Sequence, residues 1–203
     1  MYFNKDAHTI FQMTTEQKTS CADSLQILPL AECPERRAAA MEIFYYSFPE
    51  NEQTDIAALP KLLPPSMQVE EWALVYESHT VGYLVAFFTD KIAYPLHLAV
   101  AEECRGKGFG SRAMEFLNRK FASHLTFFAV ETPSEEAENQ WQRLARIRLY
   151  ERYGYRLAGV DILDNGNPLS VMCRSTATEE DIRKIRAFLE ALGKIIGGDV
   201  TII

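Results

Sequence analysis

A strand that runs into a glycine-rich turn and then into a helix constrains the fold of this chain more than any other feature. The apolar run Tyr94–Val100 comes first, the turn Arg105–Gly110 follows, and a segment reading SRAMEFLNRKF completes the unit. Ala113, Met114 and Leu117 fall on one face of that last segment at helical spacing, which predicts an amphipathic helix. A strand joined in this way to an amphipathic helix requires a sheet with a helix packed on its face.

The other apolar segments predict an α/β (α+β) chain. Strands are predicted at about 24–30, 72–76, 81–89, 125–130, 155–163 and 169–174, and helices at about 34–48, 138–154 and 178–196. Hairpins combined with crossover helices indicate a mixed, mostly antiparallel central sheet of about seven strands, covered by helices on both faces. Residues 1–23 are predicted to be a polar leader, and residues 24–203 a single domain with an extra C-terminal helix at about 178–196. We expect the apolar tail DVTII to pack on the domain or on a partner chain.

Composition and charge exclude several classes of function. The net charge is −7, whereas nucleic-acid binders carry a basic face, so we expect no nucleic-acid partner. No segment approaches the roughly 20 consecutive apolar residues that span a bilayer, and the N-terminus lacks the pattern of a signal peptide. We therefore expect a cytoplasmic protein with no membrane partner. The four cysteines and four histidines lack the spacing of a metal site, so no metal is predicted.

The turn Arg105–Gly110 is predicted to bind a diphosphate. The first turn of a helix leaves several backbone N–H groups unpaired, and glycines let these donors approach an anion closely. The helix dipole favours the same negative charge by up to ~2 kcal/mol, and Arg105, Lys107 and Arg112 add positive charge. The turn is not a Walker A loop, and it departs from G-x-G-x-x-G because Ser111 stands at the third glycine position.

The turn matches R-x-x-G-x-G between a buried strand and an amphipathic helix, and in this setting the chain resembles the GNAT superfamily of N-acetyltransferases. A second match follows at Tyr150, which precedes Gly154 and Tyr155 at the spacing typical of that family. The resemblance extends over roughly residues 24–174 and implies a GNAT-like acyl-coenzyme A N-acyltransferase fold, with acetyl-coenzyme A as co-substrate. One departure is Arg143, which stands where many members have asparagine.

The resemblance also implies which residues bind acetyl-coenzyme A. Backbone amides of the turn would hold the pyrophosphate. The backbone of the fourth strand would pair with pantetheine and polarise the thioester carbonyl. The residues implied are Leu98, Ala99, Val100, Arg105, Gly106, Lys107, Gly108, Phe109, Gly110 and Ser111.

Two side chains are assigned to catalysis. The resemblance implies that Tyr150 is a general acid that protonates the departing thiolate, and its ordinary pKa near ~10 keeps the phenol protonated at neutral pH. The alternative role for Tyr150 is packing against the sheet. The sequence does not identify the general base. The resemblance implies that the sheet opens to the acceptor at Glu131, at the end of the fifth strand, which could deprotonate an acceptor ammonium directly, orient it or act through water. The alternative for Glu131 is a solvated charge at the start of a turn. His97 and Tyr94 are alternative bases.

These features predict an N-acetyltransferase that moves an acetyl group to a primary amine of a small molecule or peptide, by direct attack in a ternary complex. Two alternatives stay open, a non-catalytic sensor or scaffold that binds acyl-coenzyme A and an acyltransferase that uses a longer acyl chain. Acidic residues in the loops Pro49–Pro65 and Thr132–Asn139 favour a cationic acceptor, although loop charge in solvent explains them equally well. A homodimer through the last helix and the tail also stays open.

Overall fold

One sheet of eight strands runs through the described part of the chain. The computed structural model describes residues 24–164, 166–174, 176–197 and 200–202, so the leader predicted for residues 1–23 lies outside the described residues. The order across the sheet is β1-β2-β3-β4-β5-β7-β6-β8. The strands are β1 (Gln26–Pro29), β2 (Gln68–Tyr76), β3 (His79–Phe88), β4 (Ile92–Val100), β5 (Leu125–Glu131), β6 (Tyr155–Asp164), β7 (Asn167–Arg174) and β8 (Val200–Ile202).

Helices connect these strands and differ in places from the sequence prediction. The α-helices are α1 (Arg37–Ser47), α2 (Phe109–Lys120), α3 (Gln140–Arg152) and α4 (Glu179–Ile196), and short 3-10 helices lie at Pro34–Arg36, Glu50–Glu52, Ile56–Lys61 and Glu102–Cys104. The segment Pro49–Pro65 was predicted as a loop with at most one helical turn. It forms two 3-10 helices, because Ile56 and Leu59 are buried and hold it against the core. The apolar tail forms β8, which pairs antiparallel with β6.

Apolar residues of the helices cover both faces of the sheet. On one face α1 contributes Ala40 and Phe44, and α4 contributes Ile185, Phe188, Leu189 and Leu192. On the other face α2 contributes Phe109, Ala113, Met114 and Leu117, and α3 contributes Ile147 and Tyr150. The predicted mixed sheet with helices on both faces is therefore confirmed. The predicted start of the last helix also holds, because Thr178 and Asp181 form a capping box at the first turn of α4.

The two central strands, β4 and β5, are joined over only a short distance. They pair in parallel at Ile92 with Leu125 and at Ala93 with Thr126, although β4 continues to Val100 and β5 to Glu131. From Phe127 onward β5 pairs antiparallel with β7 instead. The carboxyl ends of β4 and β5 therefore diverge and leave a gap in the middle of the sheet.

The other edge of β4 pairs with β3, and Gly82 allows the two strands to approach each other closely at the end of β4. Gly82 lies opposite Val100 in the register of the two strands. A Cβ atom at Gly82 would lie 2.5 Å from the carbonyl oxygen of Ala99 and 3.0 Å from Cδ2 of Leu74. Main-chain atoms cannot move aside as a flexible side chain can, so the end of β4 keeps its place only with glycine here.

We expect Gly82→Ala to lower the free energy of unfolding by about 1–3 kcal/mol, the usual cost of overpacking a close-packed interior. Chemical denaturation measures this difference. Gly110→Ala is the matched control, because its Cβ would meet Cδ2 of Leu149 at an ordinary 3.5 Å. Alanine also has the higher helix propensity, so this control should be neutral or stabilising by up to about 1 kcal/mol. A Gly82→Ala variant as stable as the wild type would contradict the close approach.

Candidate active site

The gap between β4 and β5 opens into a cavity of about 990 Å³. Residues from β4, β5, the turn before α2, and α3 line this cavity, and the chain after α1 and the end of α4 complete its wall. Lys107 is the one predicted site residue that does not line this cavity. The predicted residues that line it are Tyr150, Glu131, Leu98, Ala99, Val100, Arg105, Gly106, Gly108, Phe109, Gly110 and Ser111. The two sequence motifs, distant along the chain, therefore meet at one cavity.

The turn before α2 presents unpaired backbone donors to the cavity. Gly106 and Gly108 have φ angles of 77° and 89°, which favour glycine. Gly108 is the N-cap residue of α2, no side chain caps this terminus, and no acidic residue lies in the first turn. The first amides of α2 thus have neither a helical acceptor nor a side-chain cap, and they can bind an anion. Nε of Arg105 donates to the carbonyl oxygen of Val100 at 3.3 Å, which holds this guanidinium beside the end of β4.

A β-bulge in β4 brings two polar side chains to the same face of the sheet. Val85 pairs with His97 and Ala86 with Pro95, so Leu96 is an extra residue in β4. In a regular strand residues 94 and 97 would point to opposite faces. Here Tyr94 stacks on Phe127 with ring centroids 4.6 Å apart, while His97 packs on Phe44 and Phe48, and all these rings lie on the face covered by α1 and α4. The proline within the strand was a signal for this bulge, because proline cannot donate to the ladder.

Tyr150 lies on α3 with its ring buried against the sheet. Only 7% of the residue is exposed, and the ring stacks on Phe128 with centroids 4.3 Å apart and planes 13° apart. Burial raises the pKa of the Tyr150 phenol, and the nearby Arg146 partly opposes this shift. The hydroxyl therefore stays protonated at neutral pH. Tyr150 both packs on the sheet and lines the cavity, so the two roles left open by the sequence are compatible.

Glu131 holds the start of α3 against the end of β5. Its Oε1 accepts a hydrogen bond from Nδ2 of Asn139 at 3.1 Å and lies 3.0 Å from Nη2 of Arg143. Its Oε2 lies 3.0 Å from Nη1 of Arg146, which is one helical turn before Tyr150 on α3. These contacts fix the carboxylate and, through α3, the position of the phenol. Arg143, the departure from the family pattern, also donates from Nη1 to the carbonyl oxygen of Thr132 at 2.8 Å.

Two further carboxylates line the cavity near Glu131. Glu52 comes from the 3-10 helix after α1, and Asp164 from the end of β6. Burial raises the pKa of both carboxyls, and the charge of Glu131 raises that of Glu52 further. The sequence placed Glu52 among the acidic loop residues that either favour a cationic acceptor or are solvated charge, and it did not indicate Asp164 as a site residue. The only signal for Asp164 was an acidic residue at the end of a strand.

His97 lies beside these carboxylates and lines the same cavity. It is 6% exposed, and its Nε2 is buried without a hydrogen-bond partner in the described part of the chain. Burial lowers the pKa of His97 to about 3, whereas an interaction with the main chain of Glu52 opposes this shift. The imidazole is therefore neutral at neutral pH.

In the described ranges no three His, Cys, Asp or Glu side chains are grouped so as to hold a metal ion. None of the helices in these ranges combines the length and the apolar character needed to cross a bilayer.

Comparison with known proteins agrees with this geometry. The family described as Acetyltransferase (GNAT) domain matches residues 70–157, which run from β2 to the start of β6 and include the turn, Glu131 and Tyr150. No curated protein matches the sequence at a significant level.

Several solved structures share the fold. A protein from Bacteroides thetaiotaomicron described as a GNAT-family acetyltransferase is 22% identical, with a TM-score of 0.66 over 81% of this chain and 95% of the other. An aminoglycoside 6'-N-acetyltransferase complexed with coenzyme A is 18% identical, with a TM-score of 0.53 over 76% and 99%. Arabidopsis thaliana Naa50, in complex with the bisubstrate analogue CoA-Ac-MVNAL, is 16% identical, with a TM-score of 0.54 over 75% and 99%. Residues 70–157 thus match the GNAT acetyltransferase domain, and the fold and the cavity agree with that match and support an acyltransferase.

Proposed function

We propose that this protein transfers the acetyl group of acetyl-coenzyme A to a primary amine, with both substrates bound together in the cavity. The observation that carries the proposal is that the uncapped N-terminus of α2 and the Tyr150 phenol line one cavity at the gap between β4 and β5. An anion site and a proton donor in one cavity suit a substrate that carries both a diphosphate and a thioester.

The part of the cavity between α2 and β4 fits coenzyme A. The first amides of α2 would bind the pyrophosphate, with Arg105 adding positive charge. Beyond Ala93 the edge of β4 that faces β5 has no strand partner in the described sheet, so its main-chain groups at Leu98 and Val100 are available to pantetheine. Acetyl-coenzyme A supplies the activated acyl group when it is bound there.

Tyr150 would act as the general acid. The neutral amine attacks the thioester carbonyl carbon, the N–C bond forms, and the C–S bond breaks as the sulfur takes the electron pair. The phenol gives its proton to that sulfur and regains one from solvent. Because burial keeps the phenol protonated, Tyr150 is ready as a donor at neutral pH.

Glu131 would receive the proton that the acceptor ammonium loses, directly or through water. Arg146 is the cationic partner of Oε2, and this oxygen keeps acceptor capacity because a carboxylate oxygen has two lone pairs. Arginines hold both carboxylate oxygens of Glu131, so orienting the ammonium is part of its role. An unchanged kcat in Glu131→Gln across pH 6–9 would remove Glu131 from both roles.

We expect Tyr150→Phe to lower kcat by at least about tenfold while acetyl-coenzyme A binding is kept, since a positioned acid contributes typically ~10²–10⁴-fold. Release of free coenzyme A from acetyl-coenzyme A with a panel of amines measures this loss. Tyr153→Phe is the matched control, because Tyr153 follows α3, donates only a 3.4 Å hydrogen bond to Glu115 and is not among the cavity residues. A Tyr150→Phe variant with the kcat of the wild type would leave Tyr150 a packing role alone. Binding without turnover of any amine would favour the sensor.

We expect Gly108→Ala to weaken coenzyme A binding about tenfold, because a left-handed residue with a side chain costs about 1–2 kcal/mol and the turn would relax and misalign its amides. Calorimetric titration with coenzyme A measures the Kd. Gly159→Ala is the control for backbone strain, because Gly159 has a similar φ of 70° in β6 but does not line the cavity. Equal Kd values for Gly108→Ala and Gly159→Ala would speak against an anion site at this turn.

One further proposal concerns the assembly of the enzyme. A homodimer is proposed through β8, which lies at one end of the strand order of the described sheet. Light scattering on the purified protein tests this proposal, and a monomer mass at micromolar concentration would refute it.

A further inference from the structure

Three carboxylates from distant parts of the chain meet at one end of the cavity. Glu52, Glu131 and Asp164, which we call the acidic end, come from the segment after α1, the end of β5 and the end of β6. Glu131 and Asp164 both lie close enough to Glu52 for their charges to raise its pKa. Local turn structure does not require acidic residues at these three places, so their convergence points to a ligand.

Arginines balance only part of this charge. Glu131 is paired with Arg143 and Arg146, whereas Glu52 and Asp164 form no ion pair with a described residue. Burial raises the pKa of both carboxyls, and the charge of Arg146 offsets this shift at Glu52 only in part. The acidic end therefore has room for positive charge supplied by a ligand.

His97 provides an independent indication of a ligand at the same place. Its side chain is more than nine-tenths buried and lines the cavity, and its Nε2 has no partner among the described residues. Buried polar atoms are nearly always hydrogen-bonded, so an unpartnered nitrogen in a cavity wall indicates a missing polar group. A neutral imidazole nitrogen can accept a hydrogen bond from an amine.

Apolar and aromatic side chains line the cavity together with these polar groups. Tyr94, Leu96 and Leu169 are among them, and Leu169 lies opposite Glu131 in the pairing of β7 with β5. The pKa of Tyr94 is raised by burial first and then by the charges of Asp164, Tyr150 and Glu52, so its ring lies within reach of both the acidic end and the acid Tyr150. An apolar wall flanked by carboxylates suits methylene groups that carry a cation at each end.

We propose that the acceptor is an aliphatic diamine or polyamine, with one nitrogen at the thioester near His97 and Tyr150 and a second ammonium bound by Glu52 and Asp164. This inference rests on the proposed function and names its substrate class. The reacting ammonium first loses one proton to Glu131 or water. Its lone pair then attacks the carbonyl carbon, the C–S bond breaks, Tyr150 protonates the sulfur, and the second proton of the nitrogen is released to solvent. The distal ammonium keeps its charge throughout.

Coenzyme A release with 1,4-diaminobutane and with 1-aminobutane tests the inference, because these amines differ only in the distal ammonium. We expect kcat/KM to be at least about 30-fold higher for the diamine, from one partly buried charge-assisted contact. Glu52→Gln and Asp164→Asn should each lose at least about tenfold in kcat/KM for the diamine, mainly through KM, and change little for the monoamine. Glu190→Gln, an exposed carboxylate on α4 outside the cavity, is the control and should leave both values unchanged.

Titration of the protein with 1,4-diaminobutane alone separates this inference from the proposed function. Binding that weakens in Glu52→Gln and Asp164→Asn supports the diamine site even if no acetyl transfer follows, in which case only the proposed function fails. Equal turnover of diamine and monoamine overturns the inference and leaves the acetyltransferase in place. A diamine that neither binds nor is acetylated also overturns it.

Discussion

The brief parallel pairing of β4 with β5 is the constraint on which the rest of the site depends. The two strands share hydrogen bonds only at Ile92 and Ala93, and β5 then pairs with β7 from Phe127 to Glu131. Backbone groups of a strand must pair with something, so the edge of β4 that β5 leaves is a binding edge. The cavity, the exposed main chain of β4 and the convergence of α2 and α3 on this gap follow from that divergence.

Two local irregularities shape this edge without breaking the sheet. Gly82 allows β3 to hold the end of β4 at close range, which keeps β4 in place where β5 no longer supports it. The bulge at Leu96 shifts the alternation of β4, so that Tyr94 and His97 face the same side. One side of the gap therefore carries main-chain groups suited to a pantetheine arm, and the other carries the polar side chains suited to an amine.

Charge pairs then fix α3, which carries Tyr150, in relation to the gap. Glu131 binds Arg143 and Arg146 at the start and middle of α3, and Tyr150 follows Arg146 by one turn on that helix. Partly buried pairs of this kind hold geometry more than they add stability. Arg143, which departs from the family pattern, thereby joins α3 to the end of β5. Within the described ranges, Glu52 and Asp164 form no ion pair with an arginine, although the charge of Arg146 acts on Glu52.

The strands, the helices and the glycine-rich turn before α2 could be predicted from the sequence, because they follow from local rules. Apolar periodicity predicted seven strands and the helices on both faces, and the glycine pattern predicted the turn at Arg105–Gly110 with its free amides. Only the tertiary structure shows the placement of Asp164 beside Glu52 and the pairing of Glu131 with two arginines, whereas Pro95 was a local signal for the bulge at Leu96. The reason is that long-range charge contacts depend on which segments lie close together in space. A local sequence pattern does not specify which segments these are.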